Sequence, residues 1–166
     1  MEALTHTLLP FWPAIALFGG VLGAMAPVAC AGDSVNLVLE LRIINQSQTC
    51  IGNKRFKVEA AGDLYVALNQ QGCDAGSLWS AQYSATPTAH LSARQLGALR
   101  DAVVSGEVMD LPAQLTDADR VMEDGYREEL DLTLDGKARS VVVAGGRSEP
   151  VERVRRLLES YARRGS

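Results

Sequence analysis

Few side chains in this sequence have the type and spacing to do chemistry. His90 lies two residues before Ser92, and an imidazole beside a hydroxyl is the start of a nucleophilic pair, because the ring nitrogen takes the hydroxyl proton. In sequence, no third group and no G-x-S-x-G elbow accompanies them. Ser92 has a second use, since with Gln95 three residues on it makes a capping box. The expectation is therefore a helix cap beside an exposed histidine. The carboxylates Asp110, Asp117, Asp119, Glu123, Asp124, Glu128, Glu129 and Asp131 would suit calcium, a hard cation that takes several oxygen ligands. They lack the spacing and the glycine of an EF-hand loop, so residues 113–125 read as a solvated acidic loop. A metal-dependent or enzymatic module centred on that loop is the alternative. With no C-x-x-C and no H-E-x-x-H, zinc ligands would have to come from scattered residues. No cofactor or metal is expected, and the chain reads as non-catalytic. Arg153, Arg155, Arg156, Arg163 and Arg164 suit the negative end of a helix or an anionic partner.

The three cysteines bear on compartment. Cys30 ends an apolar leader, residues 1–31, that contains no Lys or Arg. Ala29 and Ala31 are the small residues a secretory signal needs at −3 and −1 of its cut, so the expected mature chain begins at Gly32. Cys30 as a lipid attachment point is the alternative, although Pro27-Val28-Ala29 is not the usual tripeptide before a lipidated cysteine. An uncleaved anchor is the third reading, since about 20 apolar residues cross a bilayer. After cleavage no membrane span would remain. A secreted or periplasmic location leaves Cys50 and Cys73, and an even count in an oxidising compartment favours one disulfide over two buried thiols.

The elements that position these groups follow from periodicity. With 166 residues the chain has room for one domain, and 16 Lys+Arg against 20 Asp+Glu give a net charge of −4, so nucleic acid is not an expected partner. Val35 to Ile44 alternates as a half-buried strand, and "RFKVEA" and "LYVAL" make a hairpin across Gly62-Asp63. "GSLWSAQYSATP" suggests a further strand, with Trp79, Ala81 and Tyr83 on one side. Ser92 opens a helix carrying Leu96, Leu99 and Val103 on one stripe, and Gly106 ends it. "REELDLTLDGKARSVVV" is a second hairpin, with Asp135-Gly136 as a type I′ turn. A final helix starts near Pro150 and buries Val151, Val154, Leu157, Leu158 and Tyr161. Strands, helix, hairpin, helix is an α+β order, expected to form an antiparallel sheet of 4–6 strands with both helices on one face.

"LSARQLGALRDAVVSGEVMDLP", an acidic loop, "YREELDLTLDGKARSVVV" and "EPVERVRRLLESY", taken in succession, resemble two groups of bacterial domains. One is a secreted or lipoprotein family of unknown function with a C-x-G-x-C-P-like motif, of which "CIGNKRF" keeps Cys50 and Gly52. The other is emfourin, a small inhibitor of protealysin-type metalloproteases. The resemblance implies an α+β domain and, through emfourin, a thermolysin-like metalloprotease as partner. The functional expectation is a non-catalytic protein-binding domain, in its sharpest form a protease inhibitor. Asp117, Asp119 and Asp124 are the expected partner-binding residues, because their loop is too long and polar for a mere connection. A structural envelope lipoprotein anchored at Cys30 is the remaining alternative.

Overall fold

A computed structural model describes residues 36–45, 49–116 and 126–165. The chain order is β1 (Leu37–Asn45), β2 (Lys54–Val58), β3 (Asp63–Leu68), β4 (Ala89–His90), α1 (Ala93–Ser105), a 3₁₀ turn (Val108–Asp110), β5 (Gln114–Thr116), β6 (Tyr126–Leu134), β7 (Lys137–Ala144) and α2 (Glu149–Gly165). The strands form one sheet in the order β4-β3-β2-β1-β6-β7-β5. All pairs are antiparallel except β5 with β7, which is parallel. The result is a single α+β domain with two helices among the described residues.

The sheet departs from the sequence expectation in two respects. It has seven strands and is mixed, because β4 and β5 add short edges of two and three residues. Segments that short carry too few side chains for a period-2 signal. The strand expected around Trp79 is also absent, since residues 69–88 run irregularly across the sheet and strand geometry returns only at Ala89. Its alternation is real, with Trp79, Ala81 and Tyr83 half-buried while Ser80, Gln82 and Ser84 are exposed. The segment lies over the sheet as a strap, and side chains satisfy its backbone where a strand ladder would otherwise do so.

Side-chain alternation sorts the sheet into two faces. Leu37, Leu39 and Leu41 of β1, Phe56 and Val58 of β2, Leu64 of β3, Leu130 and Leu132 of β6, and Val141 and Val143 of β7 form one buried cluster. Leu99 and Val103 of α1 and Val151, Val154, Leu158 and Tyr161 of α2 belong to the same cluster, so both helices pack on one face. The opposite face carries Glu40, Arg42, Arg55, Lys57, Tyr65, Glu129 and Asp131. Arg42 pairs there with Glu129 at 3.0 Å and with Asp131.

The local signals for α1 and the second hairpin hold. Gln95 N donates to Ser92 Oγ at 3.4 Å and Ser92 N donates to Gln95 Oε1 at 2.9 Å, which completes the capping box. Asp135 and Gly136 have φ of 50° and 79°, as a type I′ turn requires. Gly106 does close α1, but in right-handed geometry, and Glu107 is the left-handed residue. Glycine is needed at 106 for space: a Cβ there would lie 2.7 Å from the Ala102 carbonyl oxygen and 3.1 Å from Pro150 Cβ.

Candidate functional site

Cross-strand register arranges the helix-facing side of the sheet into rows. One row, Val66-Phe56-Leu41-Leu130-Val141, is apolar throughout. The next, toward the end of the sheet where β1 finishes, is Leu68-Lys54-Ile43-Glu128-Val143. Two charged residues thus occupy positions that the alternation of β2 and β6 assigns to the core, and the core stops there. α2 passes beside this row with Glu152, Arg155 and Glu159 at successive turns. A cavity of about 440 Å³ opens between them, with Tyr126 at its rim and Gly145 to Ser148 as a wall.

Glu128 sits on the cavity floor. Its carboxylate accepts from Arg155 Nη1 at 2.7 Å, and Arg155 Nη2 lies 3.7 Å from Glu152. Burial pushes the Glu128 carboxyl above the usual carboxylate range, Arg155 opposes the shift, and Glu152 and Glu159 add to it. Lys54 Nζ rests 4.7 Å from the centre of the Phe56 ring. Among the described residues its lining holds three carboxylates and three cations, counting Arg147.

The same end of the sheet is braced by the strap. A disulfide joins Cys50 to Cys73 with Cα atoms 5.8 Å apart. Asn69, 2 % exposed, is the hub beside it. Its Nδ2 donates to the carbonyls of Cys50 and Leu78 at 3.0 Å each, and its Oδ1 accepts from Ser80 N and Ala81 N at 3.1 and 3.0 Å. Asn53, fully buried, accepts from Asn45 N at 2.7 Å and donates to the Leu78 carbonyl at 2.8 Å. Further along the strap, the Arg55 guanidinium stacks between Trp79 and Tyr83, 4.6 Å from each ring centre, and donates to the Ala81 carbonyl at 2.7 Å. Tyr83 in turn donates to Glu40 at 3.1 Å, and burial raises its phenol well above the ordinary range. These contacts use Trp79 and Tyr83 for packing.

Among the exposed polar residues of this end, the frame also presents large apolar side chains outward. Of the six large hydrophobic residues exposed among the described residues, Ile51, Leu68, Leu78 and Tyr126 belong to this end, whereas Val38 and Val104 lie elsewhere. Ile51 stands between Cys50 and Gly52, both bonded to Asn69; Leu68 precedes Asn69; the Leu78 carbonyl bonds to it. Tyr126 is the register partner of Asn45 at the end of β1.

The residues singled out in sequence fare unequally. Asp117, Asp119 and Asp124, with Glu123, lie outside the described residues, as does Cys30. Thr116 and Tyr126, which flank the acidic segment, both stand at the end of the sheet just described, through pairing with Ala144 and Asn45. Residues 114–116 of the expected loop form β5 instead. Strand alternation separates the other carboxylates, with Glu128 facing the helices and Glu129 and Asp131 facing away. Among the described residues no group of three His, Cys, Asp or Glu could hold a metal ion. His90 does have an acidic neighbour, with Nδ1 2.9 Å from Asp63 Oδ1 across the β3–β4 pair. Ser92 Oγ is committed to Gln95, donating to Oε1 at 2.8 Å, so the three do not form a nucleophilic relay. Arg155 is tied to Glu128, Arg153 lies 3.4 Å from Glu149 and Arg156 3.9 Å from Glu152.

Lys54 and the two asparagines were not singled out, and Glu128 was named only as one of the acidic run. A signal existed for Lys54 and Glu128, since each is polar at an apolar phase of its strand. For Asn53 and Asn69 nothing in the sequence marks burial.

In comparisons with known proteins, no family model and no curated protein matches this chain. Among the described residues no helix is long and apolar enough to cross a membrane.

Proposed function

We propose that this chain is a non-catalytic protein-binding domain working outside the cytoplasm, and that it binds through the disulfide-braced end of its sheet. The observation that carries this reading is the gathering of Ile51, Leu68, Leu78 and Tyr126, all exposed, on a frame fixed by the disulfide and two buried asparagines. Apolar side chains held on a rigid frame lose little conformational entropy on binding, so burying them favours association. A disulfide suits an oxidising compartment. The mature chain is expected to begin at Gly32; a species starting at Cys30 with an added diacylglycerol mass would make it an anchored lipoprotein instead.

The sharpest version is inhibition of a thermolysin-like metalloprotease at one-to-one stoichiometry, with Asp117, Asp119 and Asp124 in the contact. Support comes from the sequence resemblance to emfourin and from the position of Thr116 and Tyr126, which bring the acidic segment's ends to the apolar rim. Titration of a panel of such proteases with the purified domain tests it. Reversible inhibition that weakens when the three aspartates become asparagine, at unchanged melting temperature, is the expected result, and failure across the panel removes the inhibitor reading.

A further inference from the structure

The cavity floored by Glu128 is continued by a second one, about 370 Å³ in volume and lined by Lys54, Val66, Thr88, Glu159, Ala162 and Arg163. Lys54 and Glu159 line both, so the two make one groove that follows α2 across the open row of the sheet. Lys54 is half-buried at a position that the alternation of β2 assigns to the core. Its ammonium nevertheless has no oxygen acceptor among the described residues and rests on the Phe56 ring. Glu159, also half-buried, has no hydrogen-bond donor or cation paired with it among them. Two opposite charges thus share the groove without meeting. A half-buried charge gives up part of its hydration, and neither compensates the other here, so the gap fits a group that brings a carboxylate to Lys54 and an N–H to Glu159. We infer that this groove takes an extended acidic segment of a partner polypeptide, an inference that rests on the protein-binding reading above and names the chemistry of the part that enters.

The other charges of the groove point to the same ligand. Glu128 and Glu152 are engaged by Arg155, whereas Arg147 at one end and Arg163 at the other are exposed and have no ion-pair partner among the described residues. Among those residues the uncommitted lining therefore comprises Lys54, Arg147 and Arg163 against Glu159, a surplus of cations that favours acidic side chains. A free phosphate answers the cations but brings no N–H, and Glu159 repels it. A peptide residue with an acidic side chain carries both groups in one unit. Length agrees, since the open row crosses β3, β2, β1, β6 and β7, about 19 Å at strand spacing, which about six extended residues span. Ile43, Val66 and Val143 give that backbone an apolar floor.

The test uses the purified domain, the peptide acetyl-Ala-Glu-Ala-Glu-Ala-Glu-Ala-amide, the same peptide with Gln for every Glu, and inorganic phosphate. Amide NMR should show saturable shifts at Lys54, Thr88, Glu159 and Arg163 with the acidic peptide, and binding at least about tenfold weaker with the Gln peptide. Lys54→Gln should remove most of that preference without altering the fold. Arg163→Gln, at an exposed position, should weaken the acidic peptide about threefold through loss of one end contact, and it decides the matter if Lys54→Gln does not fold. Equal affinity for the two peptides, shifts confined to other residues, phosphate shifting the same amides as strongly, or no response at all overturns the inference. A domain that ignores both peptides yet inhibits a protease defeats this inference and spares the protein-binding reading; one that prefers the acidic peptide yet inhibits no protease supports the groove and defeats the inhibitor.

Discussion

Two adjacent rows of the same sheet, one ending in Val141 and the other in Val143, share the same strands, yet one is sealed over β2, β1 and β6 and the other opens there into a cavity. In the sealed row Phe56, Leu41 and Leu130 are fully buried. In the open row Lys54 and Glu128 replace the apolar residues of β2 and β6, and Arg155 reaches down from α2 to meet Glu128. Apolar groups can fill a row to native density, whereas a charged pair must keep access to water or to further charges. The core of this domain therefore ends by a change of side-chain type, within strands that continue.

If that contrast is right, damage to the two rows should differ in size. Phe56→Ala opens a cavity in the sealed row and should cost about 3–5 kcal/mol by urea denaturation. Replacing Cys50 and Cys73 together by alanine should cost about 3 kcal/mol, since it frees a loop with a sequence separation of 23. The same method measures it, and the strap should then exchange its amide hydrogens faster than β1. Ser92→Ala should cost about 1 kcal/mol for the lost cap, with protein binding unchanged; lost binding at full stability would give Ser92 a functional role.

The smallest effect should come from the open row. The Glu128 carboxyl holds its proton more tightly in the folded than in the unfolded chain, where 4.5 is the ordinary value. Over the window above 4.5 the folded state thus binds more protons, and stability should fall as pH rises through it. Glu128→Gln should flatten that slope and change stability at neutral pH by less than about 1 kcal/mol, because burial and the neighbouring glutamates offset the attraction of Arg155. Denaturation curves from pH 4 to 8 would show it, and a steeper slope in the variant would contradict the account.

How far the sequence foretold this depended on the range of each interaction. The capping box at Ser92 and the Asp135-Gly136 turn are local, so their residues alone specify them, and both are present. The buried stripes of α1 and α2 follow from helical period in the same way. β5 pairs in parallel with β7 over three residues, a long-range event with no pattern of its own. The strap misled because Trp79, Ala81 and Tyr83 do alternate, while Asn69, Asn53 and Arg55 take the hydrogen bonds that a strand would have made. The candidate site was half legible. Lys54 and Glu128 break the phase of their strands, but the approach of Arg155 and the gathering of Ile51, Leu68, Leu78 and Tyr126 depend on topology.

The central claim is that this end of the sheet, and not the rest of the surface, binds protein. The most direct measurement compares inhibition of a thermolysin-like metalloprotease by the unmodified domain, by Leu78→Asp with Ile51→Asp, and by Val38→Asp, which charges another exposed apolar residue near the opposite end of β1. The account predicts stoichiometric inhibition that the paired substitution weakens at least about tenfold and Val38→Asp leaves intact. Equal loss from both variants would contradict it, and no inhibition by the unmodified domain would remove the inhibitor version of the claim.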